Sequence, residues 1–168
     1  MRTVGERKNG RKMFVRRFEE KDAQEMAEMI RGTLMEINRK DYDEKEMERI
    51  ADGYCAERIR RIAEEAHLYV VCSEGKIIGT GAVKRDGMQG EECEIVTVFA
   101  HPRYQGCGVG RKIICALEDD EWFQKAGRVH LDASITAHRF YEKMGYCYVN
   151  GKKELDEYGL YHMEKSVK

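Results

Sequence analysis

Three glycines at alternate positions, Gly106, Gly108 and Gly110, follow a β-branched segment and the single proline, Pro102, and lead into an apolar-periodic run that begins with Val109, Arg111 and Lys112. This is the outline of an anion site. Glycine lets backbone approach a ligand closely, and the unpaired N–H groups of a helix's first turn, at the positive end of its dipole, suit a phosphate. Two nucleotide motifs fail on spacing: GxxxxGK[ST] is absent, and no third glycine stands where GxGxxG requires one. The same glycines would also serve a plain strand-to-helix turn. Cys107 lies inside the loop, where a helix N-terminus lowers a thiol's pKa, but no histidine and acid are evident as its partners. Just upstream, Glu94 stands among Ile95, Val96 and Val98, a setting that would raise its pKa by desolvation unless the strand end is solvated. Glu92 and His101 are further groups able to exchange a proton there.

Apolar spacing indicates the elements that position these groups. Phe14 to Arg16 read as a strand, and Asp22-Ala-Gln-Glu25 as a capping box opening a helix whose buried face is Ala23, Met26, Ala27, Ile30, Leu34 and Ile37. A second capping pattern, Asp43 to Glu46, precedes an apolar stripe running to Ala66, with Gly53 placed to split the helix in two. Leu68–Cys72, Lys76–Val83 and Glu92–Ala100 read as a three-stranded meander. A helix over Gly108 to about Ala126, a strand at Arg128–Asp132, a helix over Ile135–Met144 and strands at Tyr146–Val149 and Tyr158–Lys165 complete the order. Helices, then a meander, then strand-helix-strand imply a mixed sheet with helices on both faces.

The chain has 168 residues, a length that suits one domain, and 30 Lys+Arg against 31 Asp+Glu, a balance that argues against nucleic acid or an anionic membrane as partner. No stretch approaches the roughly 20 apolar residues of a membrane span, and the basic start lacks a signal-peptide core. The six cysteines are scattered without a CxxC pair, as expected of reduced thiols in a cytoplasmic protein, and no metal site is indicated. Residues 1–12 read as a flexible polar tail.

Three segments in order resemble the GNAT superfamily of N-acetyltransferases. Gln105-Gly-Cys-Gly-Val-Gly110 is similar to its Q/R-x-x-G-x-G/A motif, Glu94–Pro102 to its fourth strand, and Ala137-His-Arg-Phe-Tyr-Glu-Lys-Met-Gly-Tyr146 to its A-x-x-F-Y-E-K-x-G-F signature. The resemblance covers roughly residues 13–166. It implies a single α/β (α+β) domain over residues 13–168, with a mixed, mostly antiparallel sheet of six to seven strands. It further implies transfer of an acetyl group from acetyl-CoA to an amine, as monomer or homodimer.

On that resemblance the CoA diphosphate would lie on Gln105, Gly106, Cys107, Gly108, Val109, Gly110 and Arg111. The amides of the pantetheine arm would pair with an open strand edge at Val98, Phe99 and Ala100, with a bulge expected at Val98-Phe99. Glu94 matches the family's base, and Tyr141 its donor to the departing thiolate. Tyr141 also falls at helical spacing with Ala137, Phe140 and Met144, which would suit a core residue. Ser134 replaces the asparagine many members carry, so its contact to the arm would pass through water or give way to a helix cap. The acceptor pocket would be lined by Gly32–Ala66 and the loop Asn150–Tyr158. A small-molecule amine is preferred as acceptor over a protein lysine or N-terminus. The alternatives in other classes are a non-catalytic acyl-CoA-binding module and a domain binding some other phosphate-bearing ligand.

Overall fold

In the computed structural model, which describes residues 6–8 and 11–167, the apolar run of strand β3 (Ala66–Ser73) is buried on both sides. Leu68, Val70 and Cys72 enter one apolar core while Tyr69 and Val71 enter another. A strand alternates its side chains between faces, so an unbroken apolar run demands a layer above and a layer below. The chain supplies both. On one face lie α1 (Ala23–Glu36), α2 (Glu44–Gly53) and α3 (Ala56–Glu65); on the other lie α4 (Val109–Glu118), α5 (Glu121–Lys125) and α6 (His138–Lys143).

The remaining strands are β1 (Glu6–Lys8), β2 (Arg11–Arg17), β4 (Lys76–Asp86), β5 (Glu92–Ala100), β6 (Arg128–Ala133), β7 (Cys147–Tyr148) and β8 (Tyr161–Ser166). They form one sheet in the order β1-β2-β3-β4-β5-β6-β8-β7, antiparallel everywhere except the β5–β6 pair. The expected α/β architecture is present, with eight strands where six to seven were expected. The additional strand, β1, lies inside the stretch read as a flexible tail and pairs with Lys12 and its neighbours, whereas residues 1–5 and 9–10 of that stretch lie outside the described residues.

Local signals held where no distant group competed. Asp43 Oδ1 accepts the N–H of Glu46 at 3.1 Å and caps α2, and the chain breaks between α2 and α3 after Gly53. Asp22 and Glu25 behave differently. Asp22 receives Arg16 through two bonds of 2.7 and 2.9 Å and the N–H of Glu19 at 2.8 Å, while Glu25 accepts the N–H of Ile77 at 2.8 Å. Both carboxylates thus fasten the start of α1 to neighbouring strands, and helical turns begin already at Glu20. The helix expected over Gly108–Ala126 is two, because Asp120 adopts extended backbone and caps α5 by accepting the N–H of Trp122 at 2.8 Å.

Candidate active site

Strands β5 and β6 share only three register pairs, Glu92–Arg128, Cys93–Val129 and Glu94–His130. Beyond Glu94 they part, and the β6-facing edge of β5 from Ile95 to Ala100 lies beyond the last of those pairs. On its other side β5 stays bonded to β4 up to Ala100, opposite Gly79. The wedge between β5 and β6 is therefore open at the end where β5 runs into the glycine loop.

A bulge interrupts this edge. Thr80 pairs with Phe99 and Ala82 with Val96, so Gly81 faces two residues, Thr97 and Val98. The bulge sits one residue earlier than the Val98-Phe99 position expected from sequence. Thr97 adopts φ of 58°, a left-handed conformation unfavourable for a β-branched residue. Such strain persists only where surrounding structure imposes it, and here it turns the backbone at the mouth of the wedge.

At the end of β5, His101 donates its N–H to Ile78 O at 2.8 Å and accepts Arg103 N–H on Nδ1 at 3.1 Å. Burial lowers the pKa of its imidazole. Gln105 folds back so that Nε2 donates to Ala100 O at 3.0 Å, which ties the loop to the strand end. Gly106 and Gly108 adopt φ of 74° and 85°, and Gly108 is the N-cap of α4. The helix's first ladder bond runs from Lys112 N to Gly108 O at 3.1 Å, so the amides from Gly108 to Arg111 precede the ladder. With Arg111 exposed beside them, these residues fit a diphosphate.

The loop is held by close packing. A Cβ on Gly79 would stand 2.5 Å from Val109 Cγ1, and one on Gly81 2.3 Å from Ile113 Cγ2, so only glycine at these β4 positions lets α4 lie this near the sheet. Phe140 of α6 packs over Gly110, where a Cβ would stand 3.1 Å from its ring. The two segments expected to act together, Gln105–Arg111 and Ala137–Tyr146, are thus in contact.

Glu94 is half-buried and faces the α3 side of the sheet, where it lines a cavity of about 310 Å³ with Tyr54, Arg58, Ile62, Val96 and Thr97. Burial raises its pKa, opposed by His130 and Lys84 and supported by Asp132 and Asp86. Glu92, by contrast, is engaged by Arg128 at 2.9 Å. Beside it His130 Nε2 lies 2.7 Å from Asp86, and Asp86, Glu92 and His130 form one cluster engaged in these pairings. A larger hollow of about 440 Å³ between α1 and α2 shares no residue with the Glu94 cavity or the glycine loop.

Tyr141 is buried in the opposite core with Val109 and Ala133, edge-on to Phe140 and Tyr146 at ring distances of 5.2 and 5.9 Å. Burial raises its hydroxyl pKa well above the ordinary phenol value. Ser134 is half-buried, and its carbonyl rather than its hydroxyl receives the first N–H groups of α6, from Ala137 and His138, at 3.0 Å each. The expected hydroxyl cap is not made. The late loop does not line the Glu94 cavity; it is tied to the connection between α1 and α2 through Tyr42, whose hydroxyl donates to Gly159 O at 2.8 Å and accepts Ile135 N–H at 3.0 Å. Arg58 and Thr97 escaped the sequence reading. Arg58 is one of several charges in the stretch Glu57–Arg61, and nothing in the residue order signals a left-handed threonine.

A family model for the acetyltransferase (GNAT) domain matches residues 38–167. No curated protein matches the chain. Among solved structures, PaiA N-acetyltransferase from Thermoplasma acidophilum in complex with coenzyme A is similar at 16% identity and TM-score 0.77, over 92% of this chain and 98% of that one. A GCN5-related N-acetyltransferase from Rhodopseudomonas palustris is similar at 22% identity and TM-score 0.74, over 99% and 98%. The yncA protein of Salmonella typhimurium, solved with its cofactor acetyl-CoA, is similar at 16% identity and TM-score 0.65, over 93% and 94%. These likenesses show the fold, and the family model, spanning most of the chain, shows that the protein belongs to the GNAT acetyltransferases.

Proposed function

We propose that the protein is an N-acetyltransferase that moves an acetyl group from acetyl-CoA to a primary amine by direct attack within a ternary complex, the acceptor being a small molecule. One observation carries this reading: β5 leaves β6 after Glu94, giving a strand edge with an anion-binding turn at one end and a carboxylate-bearing cavity at the other. Coenzyme A in PaiA and acetyl-CoA in yncA, on the same fold, support the choice of ligand.

In this reading the amides and side chains of Gln105–Arg111 hold the diphosphate. The edge at Val98, Phe99 and Ala100 pairs with the amides of the pantetheine arm, and Ser134 meets that arm from the start of α6. An alkylamine with a pKa near 10.4 arrives protonated, so a base must free its lone pair. Glu94 takes that proton, directly or through water; its burial brings its basicity closer to the task. The amine nitrogen bonds to the thioester carbonyl carbon, the carbon–sulfur bond breaks, Tyr141 supplies a proton to the departing sulfur, and the second proton lost by the nitrogen passes through water to restore the phenol. A cavity of about 310 Å³ falls at the lower end of the roughly 300–1,000 Å³ of small-ligand pockets, which favours a small acceptor over a protein lysine or N-terminus.

We place this catalytic domain at residues 13–168 and its setting in the cytoplasm, as monomer or homodimer without nucleic-acid, membrane or metal partners. Six cysteines outside any disulfide suit a reducing compartment, and no helix among the described residues is long and apolar enough to cross a membrane. The deciding experiment incubates the protein with acetyl-CoA, a panel of amines and a thiol-detecting dye, with CoA binding followed by calorimetry. One thiol per acetylated amine is expected. Heat of CoA binding without thiol release from any amine would make the protein a binding module, and stabilisation by ATP or NAD but not CoA would reassign the glycine loop.

A further inference from the structure

We propose that the acceptor amine also carries a carboxylate, and that Arg58 is the specificity-determining residue that selects it. This rests on reading the Glu94 cavity as the acceptor site, and it fixes the chemical class that site takes.

Arg58 and Glu94 line the same cavity. The Arg58 guanidinium carbon sits 4.1 Å from the centroid of the Tyr54 ring, and Tyr54 is in turn braced edge-on against Phe99 at 5.7 Å. A guanidinium held over an aromatic face is fixed in place while keeping N–H groups to offer a carboxylate. Gly53 makes room for it, since a Cβ there would stand 3.1 Å from Arg58 Nη1. Two residues along α3, Arg60 is paired with Glu20, whereas Arg58 has no carboxylate within ion-pair distance among the described residues. At the cavity's rim Lys84 and Glu65 cancel one another at 3.3 Å.

What remains uncancelled in the cavity is one cation, Arg58, and one proton-accepting carboxylate, Glu94, which lie beyond ion-pair distance of one another and share the lining with the apolar Tyr54, Ile62 and Val96. The complementary ligand is an ammonium at one end and a carboxylate at the other, the latter matched to the planar donor fork of arginine. A diamine or polyamine would bring a second cation toward Arg58 and is disfavoured. Within Gly32–Ala66, the stretch expected to line the acceptor pocket, Arg58 is thus the position that sets the acceptor's charge.

The test compares aminocarboxylates with their own carboxamides, with aminoalkyl phosphates of equal length and with linear diamines, by thiol release at saturating acetyl-CoA. A kcat/KM for the best aminocarboxylate at least about tenfold above its carboxamide is expected, the size of a lost charge-assisted bond. Arg58→Gln should raise KM for the aminocarboxylate by at least about tenfold while leaving KM for the carboxamide and for acetyl-CoA unchanged, and Arg58→Lys should restore part of the preference. An unchanged melting temperature shows that the variants are folded. Carboxamides or diamines used as well as carboxylates, or Arg58→Gln affecting all acceptors alike, would overturn the proposal, and preference for the phosphates would overturn the carboxylate assignment. Absence of thiol release from every amine in the wild-type protein would instead sink the acetyltransferase reading beneath it.

Discussion

Glu94 and His130 are the last residues of β5 and β6 that stand opposite one another before the two strands part. The Glu94 backbone is therefore held on both sides, by Lys84 of β4 and His130 of β6, at the point where the wedge begins, while its side chain lines the cavity on the α3 side of the sheet.

Glu94→Gln should lower kcat by about 10²-fold or more, the usual contribution of a positioned base. In the wild-type enzyme the acidic limb of the kcat/KM profile should lie above the ordinary carboxylate range, because burial raises the Glu94 pKa; the variant should lose that limb. Stability follows with a defined sign. A raised folded-state pKa favours folding below the unfolded pKa, and that advantage disappears as pH climbs through the folded value. The melting temperature of Glu94→Gln should therefore gain on wild type above the raised pKa and match it in acid, as a pH series of thermal melts would show.

Tyr141→Phe keeps the ring that packs against Phe140 and Tyr146 and removes only the hydroxyl. Steady-state kinetics should record a fall in kcat of about 10²-fold with KM for acetyl-CoA nearly unchanged. Equal weakening of both would make the residue a part of the core and nothing more.

Gly108→Ala forces a side chain into φ of 85° at the N-cap of α4. The strain costs about 1–2 kcal/mol and turns the following amides away from their present direction. Calorimetry should show CoA bound about tenfold more weakly, whereas Cys107→Ser, inside the same loop, should leave turnover unchanged.

Asp120→Ala removes one acceptor from three donors: His67 Nδ1 at 2.8 Å, Tyr69 Oη at 2.6 Å and Trp122 N at 2.8 Å. Burial and the bond to Asp120 push the Tyr69 hydroxyl up to about 12, so Tyr69 stays a donor at neutral pH. With roughly 1 kcal/mol or more per stranded donor, the loss should be about 3 kcal/mol, seen as a drop in melting temperature of roughly 6–12 °C.

Much of this arrangement was written locally and could be read so. The glycine loop, the Asp43 cap, the break after Gly53 and the meander depend on residues close together in the chain. The misreadings share one cause, which is a competing partner outside the local pattern. Asp22 and Glu25 match a capping box, yet Arg16 and the Ile77 amide claim them. Asp120 sits within what reads as a continuous helix, but His67 and Tyr69 of β3 draw it into the core and end α4. The bulge lies at Thr97-Val98 because register with β4 is set by Thr80 and Ala82, across the sheet. Arg58 stands out only once its seat over Tyr54 and its place in one cavity with Glu94 are seen.

Gly79 and Gly81 let α4 rest directly against β4, with Val109 and Ile113 filling the space their side chains would take. The turn that opens α4 is consequently rigid before any ligand arrives, and its orientation is settled when the hydrophobic layer forms. Association then has little loop disorder left to overcome, so it should proceed as a lock-and-key encounter with a small entropic penalty.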